Sequence, residues 1–359
     1  MIALAPAIAA ALLLAAPPAA APERLSNLVS PEIVGNAVVF RLRAPRARDV
    51  VITGALRVVP IPMERDTAGI WSVRVEGIAP GLHDYAFVVD GVRMADPSNQ
   101  DRKPARWTPS SFLRIPGSGK LFDEARPGPR GTVHIHEFNS QALGRTRRFH
   151  VYTPPGYDRG GTFRLVYLLH GFSDTDATWY EYGQAHTIVD NLTAEDRLRP
   201  VVLVMPDGHA LPPRPGQVFD EYLRDNAAAF TRDLRDEIIP LVESRYRVAR
   251  GSDGRVVFGV AMGGHQALVM SIGPAALFKR VAALDPPLLD EIARLATQAP
   301  PLQWLTLRVP AGQVAAETLA AALRKRNATV VIRPIAARSE LWGGWRKDLA
   351  DLLPGLLGP

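Results

Sequence analysis

Val256-Val257-Phe258-Gly259-Val260-Ala261-Met262-Gly263-Gly264 carries the chain from an apolar run through a glycine-flanked turn into a helical stretch that continues over Gln266, Ala267 and Leu268. A strand, a sharp turn and a helix in this order form the frame Gly-x-Ser-x-Gly of a nucleophile elbow, whose glycines let the backbone lift one side chain above a sheet. Here the lifted side chain, Ala261, is a methyl group.

Outward from this turn, apolar runs recur at Leu165 to Leu169, Val201 to Met205, Val281 to Leu284, Trp304 to Val309 and Val330 to Ile335. Such near-continuous runs are expected of parallel strands covered on both faces. Between them Phe230, Leu234, Ile238, Leu241 and Val242 fall at helical spacing, with Asp233, Arg235, Asp236 and Glu237 on the outer face. The alternation predicts a doubly wound α/β unit over residues 131–359. Residues 37–90 instead alternate with a period of two, with Val38, Phe40 and Leu42 sharing one face and Tyr85, Phe87 and Val89 another. With turn signals between them, these runs predict a small antiparallel β-sandwich over residues 25–115. Prolines at 97, 104, 109, 116, 127 and 129 mark the seam, and residues 116–130 are read as the linker.

Composition narrows the function classes. Of 359 residues, 47% are hydrophobic and 22% charged, which suits a folded chain. The formal charge of +6 is spread without a run of five Lys or Arg, so no nucleic-acid partner is expected. Absence of cysteine excludes disulfides, thiolate catalysis, iron-sulfur clusters and Cys-based zinc sites. Gly117-Ser118-Gly119-Lys120 lacks the upstream glycine and the Ser/Thr of a phosphate-binding loop, and no cofactor is expected. His134 and His136 point to one face of a strand, but nothing suggests a third ligand, so no metal is expected either. The apolar run from Ala7 to Ala16, followed by Ala19-Ala20-Ala21, reads as an export signal over residues 1–21. No later run is long enough to span a bilayer, and the expected location is periplasmic or secreted.

In open α/β sheets, ligands bind beyond the carboxyl ends of the strands. Two more strand ends therefore matter: Leu169 runs into His170-Gly171-Phe172, and Met205 into Pro206-Asp207-Gly208-His209. His170 and His209 are candidate pocket residues. Trp71, Tyr85 and Trp107 are candidates for a flat sugar-stacking surface on the N-terminal unit.

Several segments, in order and spacing, carry a family resemblance: Phe40-Arg41-Leu42-Arg43-Ala44-Pro45, Phe87-Val88-Val89-Asp90-Gly91, Val151-Tyr152-Thr153-Pro154-Pro155-Gly156-Tyr157, Tyr167-Leu168-Leu169-His170-Gly171, Ile188-Val189-Asp190-Asn191-Leu192, Met205-Pro206-Asp207-Gly208-His209, and Trp342 with Trp345-Arg346. Through them the chain resembles exported esterases of the α/β-hydrolase superfamily, among them feruloyl, acetylxylan and enterochelin-esterase-like enzymes. These pair a catalytic domain with an N-terminal immunoglobulin-like early-set domain.

The resemblance implies a Ser, an acid and a His in chain order. The serine position matches Ala261. Setting Trp342, Trp345 and Arg346 on the pattern Gly-His-x-Trp-x-x-Trp-Arg puts Glu340 where histidine belongs and Ser339 where glycine belongs. All eight histidines lie at or before 265. The acid position falls near Gly312-Gln313, and Glu317, just beyond, reads as a helix-face residue. Asp285 is a possible substitute acid, but it has no histidine to orient. Backbone N–H groups of Phe172 and Met262 take the oxyanion-hole positions. Trp179, Tyr180 and Tyr182 take substrate-facing positions, with His265 and Trp342 further candidates for the pocket.

The expectation is an exported pseudo-esterase that binds a small ester, a carbohydrate or a partner. One alternative is an active ester hydrolase in which Glu340 deprotonates a water. The other is a purely structural or interaction protein. The oligomeric state is not predicted.

Overall fold

The structure, a computed structural model, describes residues 28–56, 59–335 and 341–358. The export-signal segment 1–21, together with Ser339 and Glu340, lies outside the described residues.

Period-two alternation builds nine N-terminal strands among the described residues: β1 (Glu32–Val34), β2 (Ala37–Arg43), β3 (Val50–Gly54), β4 (Ile61–Pro62), β5 (Glu64–Arg65), β6 (Ile70–Glu76), β7 (Gly81–Val89), β8 (Val92–Met94) and β9 (Ser111–Ile115). They form two antiparallel sheets, β1-β2-β6-β5 and β4-β3-β7-β8, with β9 added against β7. Phe40 and Leu42 from β2, Trp71 from β6, Ile52 from β3 and Phe87 from β7 meet in one core. Tyr85 is also fully buried, and its hydroxyl donates 2.8 Å to Asp96 Oδ2. Trp71 and Tyr85 are therefore core residues, which corrects their reading as a sugar platform: both inward faces are consumed by packing.

The second region begins with a hairpin, β10 (Thr132–Ser140) and β11 (Arg145–Thr153), and continues with β12 (Arg164–Leu169), β13 (Val201–Pro206), β14 (Arg255–Val260), β15 (Arg280–Leu284), β16 (Trp304–Val309) and β17 (Thr329–Pro334). One eight-stranded sheet results, in the order β10-β11-β13-β12-β14-β15-β16-β17. From β12 to β17 the pairings are parallel, whereas β10 and β11 pair antiparallel, so the sheet is mixed. The hairpin strands alternate polar and apolar residues, as antiparallel edge strands do, whereas the apolar runs form the parallel centre.

Helices α1 (Thr178–Glu181), α2 (Ala185–Ala194), α3 (Phe219–Asp233), α4 (Ile239–Arg245), α5 (Met262–Ile272), α6 (Asp290–Gln298), α7 (Val314–Arg324) and α8 (Leu341–Leu357) cover the sheet. A wider π turn, Leu234–Ile238, joins α3 to α4 and keeps Phe230, Leu234, Ile238 and Val242 buried. The strand order reverses between β12 and β14, which places His170 and Ala261 side by side at the switch point where such sheets open a crevice. Among the described residues, no helix is long and apolar enough to cross a membrane.

Candidate functional site

At the end of β14 the backbone turns at Ala261 with φ 48° and ψ −115°, a region that L residues avoid at a cost of about 1–3 kcal/mol. Three hydrogen bonds hold the turn: Ala261 N–H to Leu284 O at 2.8 Å, Gly263 N–H to His170 O at 3.1 Å, and His265 N–H to Ala261 O at 3.1 Å. A Cβ on Gly263 would stand 2.5 Å from Leu169 O, and one on Gly259 2.1 Å from Gly263 O, so both flanking glycines are required by close backbone approach. The elbow is complete, strain included, yet it presents a methyl.

Met262 opens α5, where the first amides have no acceptor within the helix. The other implied oxyanion donor, Phe172 N–H, shares a planar trans peptide with Gly171 C=O and must point the opposite way. That carbonyl is anchored twice, by His170 Nδ1–H at 2.8 Å and by Asp174 N–H at 3.2 Å. Gly208 N–H donates to His170 Nε2 at 2.8 Å, which leaves Nδ1 as the protonated nitrogen. His170 thus orients the Gly171–Phe172 peptide.

His209 does similar work one residue later. Its Nε2–H donates to Phe172 O at 2.7 Å, and its Nδ1 accepts from the Tyr222 hydroxyl at 2.6 Å. Burial pushes its pKa down to about 3, so the ring is neutral at physiological pH. The Asp207-Gly208-His209 loop is gripped from below by Arg147, whose guanidinium reaches His209 O at 2.8 Å and Asp233 Oδ2 at 3.1 Å.

Around Asp285 and Gln313 the structure is specific. Trp345 Nε1–H donates to Asp285 Oδ2 at 2.7 Å, and Arg308 Nη1 lies 3.2 Å from the same oxygen. Arg308 Nε is 2.9 Å from Asp348 Oδ2. An indole and a guanidinium therefore hold the carboxylate at the end of β15. Gln313 precedes α7 beyond β16, and its buried Oε1 has no hydrogen-bond partner among the described residues. Glu317 lies on the exposed face of α7, as its spacing implied. Ala261 packs against the cluster that holds Trp342 and Trp345.

The remaining candidates are scattered. Trp179 is buried in the core, edge-on to Trp342 and Phe258. His265 is buried on α5, bonded to Pro287 O at 3.0 Å and 3.1 Å from Glu291 Oε1. Tyr180 lies between His150 and His186. Tyr182 and Trp342 do share a cavity of about 480 Å³, at the seam between β7 and α8. Ala261 is not part of the lining of this seam cavity. His134 and His136 bond to Thr153 and to the Tyr246 hydroxyl.

Residues 103–106, which the sequence marked only as part of a proline-rich seam, and Trp107, named there as a sugar-stacking candidate, form a strap across the Gly171–Ser173 loop. Arg106 N–H donates to Ser173 O at 2.7 Å, Thr178 Oγ1–H to Pro104 O at 2.7 Å, and Arg106 Nη2 meets Asp207 at 2.9 Å. Trp107, 43% exposed, stacks on Phe172 at 4.6 Å and meets His209 edge-on at 5.1 Å. The sequence signal was faint: Lys103 is one of only five lysines, set in a stretch with no periodicity.

The family described as "Putative esterase" matches residues 140–351. The "Endo-1,4-beta-xylanase/feruloyl esterase" of Xylanibacter ruminicola is 27% identical over 249 residues, 67% of this chain and 33% of that protein. "Endo-1,4-beta-xylanase Y" of Acetivibrio thermocellus is 26% identical over 143 residues, 39% of this chain and 11% of that protein. The chain thus spans a third or less of the length of these relatives. Among solved structures, the enterobactin esterase of Shigella flexneri covers 89% of this chain and 94% of its own, with TM-score 0.64 and 19% identity. A ferulic acid esterase from Anaeromyces mucronatus, in complex with ferulic acid, covers 66% of this chain and 94% of its own, with TM-score 0.54 and 20% identity. At these identities the structures establish a shared fold.

Proposed function

The chain belongs to the esterase family of α/β-hydrolases, and we propose that it is a member without turnover that binds an ester- or carbohydrate-type ligand. One observation carries this reading: the strained φ of 48° at the elbow is kept while its side chain is a methyl. A methyl cannot attack a carbonyl, so no acyl-enzyme forms. Loss of a serine triad removes on the order of 10⁶ in turnover, leaving roughly 10³ to 10⁴ over water from oxyanion donors and binding. Those donors are backbone groups, and the anchoring of Gly171 O by His170 supports their survival. Such a site polarises a carbonyl oxygen without attacking its carbon.

In this reading residues 25–115 are an immunoglobulin-like early-set domain, residues 116–130 a linker, residues 131–359 the esterase-like α/β-hydrolase domain, and residues 1–21 an export signal. The test is purified protein given a chromogenic short-chain ester and a feruloyl ester, beside a revertant carrying Ala261→Ser, Glu340→His and Gln313→Asp. The wild type is expected to match a heat-killed control. Turnover well above that control would overturn the reading and favour a water activated by Glu340.

A further inference from the structure

The seam cavity of about 480 Å³ is within the size range of small-molecule sites, and both regions of the chain build it. Tyr182 and Trp342 form its aromatic wall, with Asp84, Lys103, Asp123 and Arg346 as its buried or half-buried charged lining. Lys103 is only 11% exposed, yet its ammonium lies 4.0 Å from Asp84 Oδ2 and 3.8 Å from Asp174 Oδ1, too far for hydrogen bonds. Asp174 Oδ1 is buried and has no hydrogen-bond partner among the described residues. Arg346, 3% exposed, has its Nε 3.5 Å from Asp123 Oδ2, again without a hydrogen bond. The Lys103 ammonium lies over the rings of Tyr182 at 5.0 Å and Trp342 at 5.7 Å, and the Nη atoms of Arg346 are bonded to Tyr182 O and Leu82 O. Lys103, Asp174 Oδ1 and Arg346 Nε thus keep unused hydrogen-bonding capacity, which is costly in a buried place unless an oxygen sits between them.

Three cations, Lys103, Arg346 and Lys347, line the cavity with two carboxylates, Asp84 and Asp123, but Lys347 is exposed and paired with Asp351, so the buried charges of the lining balance. A single anion would meet as much repulsion as attraction. A hydroxyl, which donates and accepts at once, bridges a Lys–Asp gap of this width. Several hydroxyls on one rigid ring, beside an aromatic wall, match the whole lining. We propose that the seam cavity is a saccharide site, in which Lys103, Asp84 and Arg346 hydrogen-bond the hydroxyls of a neutral sugar. This deepens the ligand-binding reading above and rests on it, but not on the loss of turnover.

The test is isothermal titration of the full chain with xylobiose, glucose and sodium benzoate, alongside Lys103→Met and Asp84→Asn. Each variant is first checked for an unchanged thermal melt. A saturable isotherm with at least one of the two sugars, weakened at least tenfold in whichever variant melts like the wild type, is the expected result. Asp84→Asn keeps the shape and the oxygen that Tyr182 hydroxyl reaches, so it remains informative if Lys103→Met is unstable. Three results overturn the proposal: no saturation by either sugar, benzoate binding in their place, or sugar binding that survives both substitutions but is lost in Trp107→Ala. Ester turnover is measured separately, so an active enzyme with a saccharide site and an inactive one without it are told apart.

Discussion

The elbow and the seam lie close together in the fold but are made of different materials. At the elbow nearly every constraint is backbone on backbone: Ala261 N–H on Leu284 O, Gly263 N–H on His170 O, and two glycines with no room for a Cβ. At the seam the constraints are side chains, with Arg346 Nη2 on Leu82 O at 2.7 Å, Arg106 on Asp207, and Trp107 on Phe172. The difference teaches what each region depends on. A geometry held by backbone hydrogen bonds does not depend on which side chain the elbow displays, so the frame stands with a methyl at position 261.

That contrast can be broken in order of expected effect. Arg346→Met removes a buried guanidinium that joins Leu82 O, Tyr182 O and Asp123, and should lower unfolding free energy by about 3–5 kcal/mol in urea titrations. A loss under about 1 kcal/mol would mean that the seam does not hold the two regions together. Gly263→Ala drives a Cβ to 2.5 Å from Leu169 O and should cost about 3 kcal/mol, while Ala261→Ser, at the displayed position, should change stability by less than about 1 kcal/mol. Equal effects at 261 and 263 would refute the backbone account of the elbow.

Acid sensitivity sharpens the comparison further. His209 has a folded pKa of about 3 against about 6.5 unfolded, so the fold favours its neutral ring. Its stabilising contribution is full above pH 6.5 and is lost as pH falls toward 3, with a slope of at most about 1.4 kcal/mol per pH unit. His209→Gln should flatten that part of the stability profile, and an unchanged slope would remove the buried-neutral assignment. The smallest effect is expected from Trp107→Ala: about 1 kcal/mol from the lost stacking on Phe172, with faster hydrogen exchange at residues 171–174.

Much of the fold was legible because its signals are local. The apolar runs at 165–169, 201–205, 256–260 and 304–309 became β12, β13, β14 and β16, and the glycines around Ala261 announced the elbow. The edge hairpin was harder, because amphipathic strands such as Arg145–Thr153 carry no continuous apolar run. The aromatic candidates could not be sorted in advance. Trp71, Trp179 and Trp107 have the same side chain, but two are buried in cores and the third lies exposed on Phe172. Residue type shows that a ring will seek a surface, not which surface it finds.

The sequence alone determined the class of fold and the methyl displayed at the elbow, because strand periodicity, glycine spacing and the identity of residue 261 are properties of short stretches. Only the tertiary structure decided that Lys103, Asp84 and Arg346 share one cavity and that His170 and His209 hold the carbonyls of Gly171 and Phe172. Those groupings join distant parts of the chain, and the distances of 3.8 and 4.0 Å that leave Lys103 without a hydrogen bond arise where its segment meets Asp174, in the loop after β12, and Asp84 on β7, which no local pattern encodes.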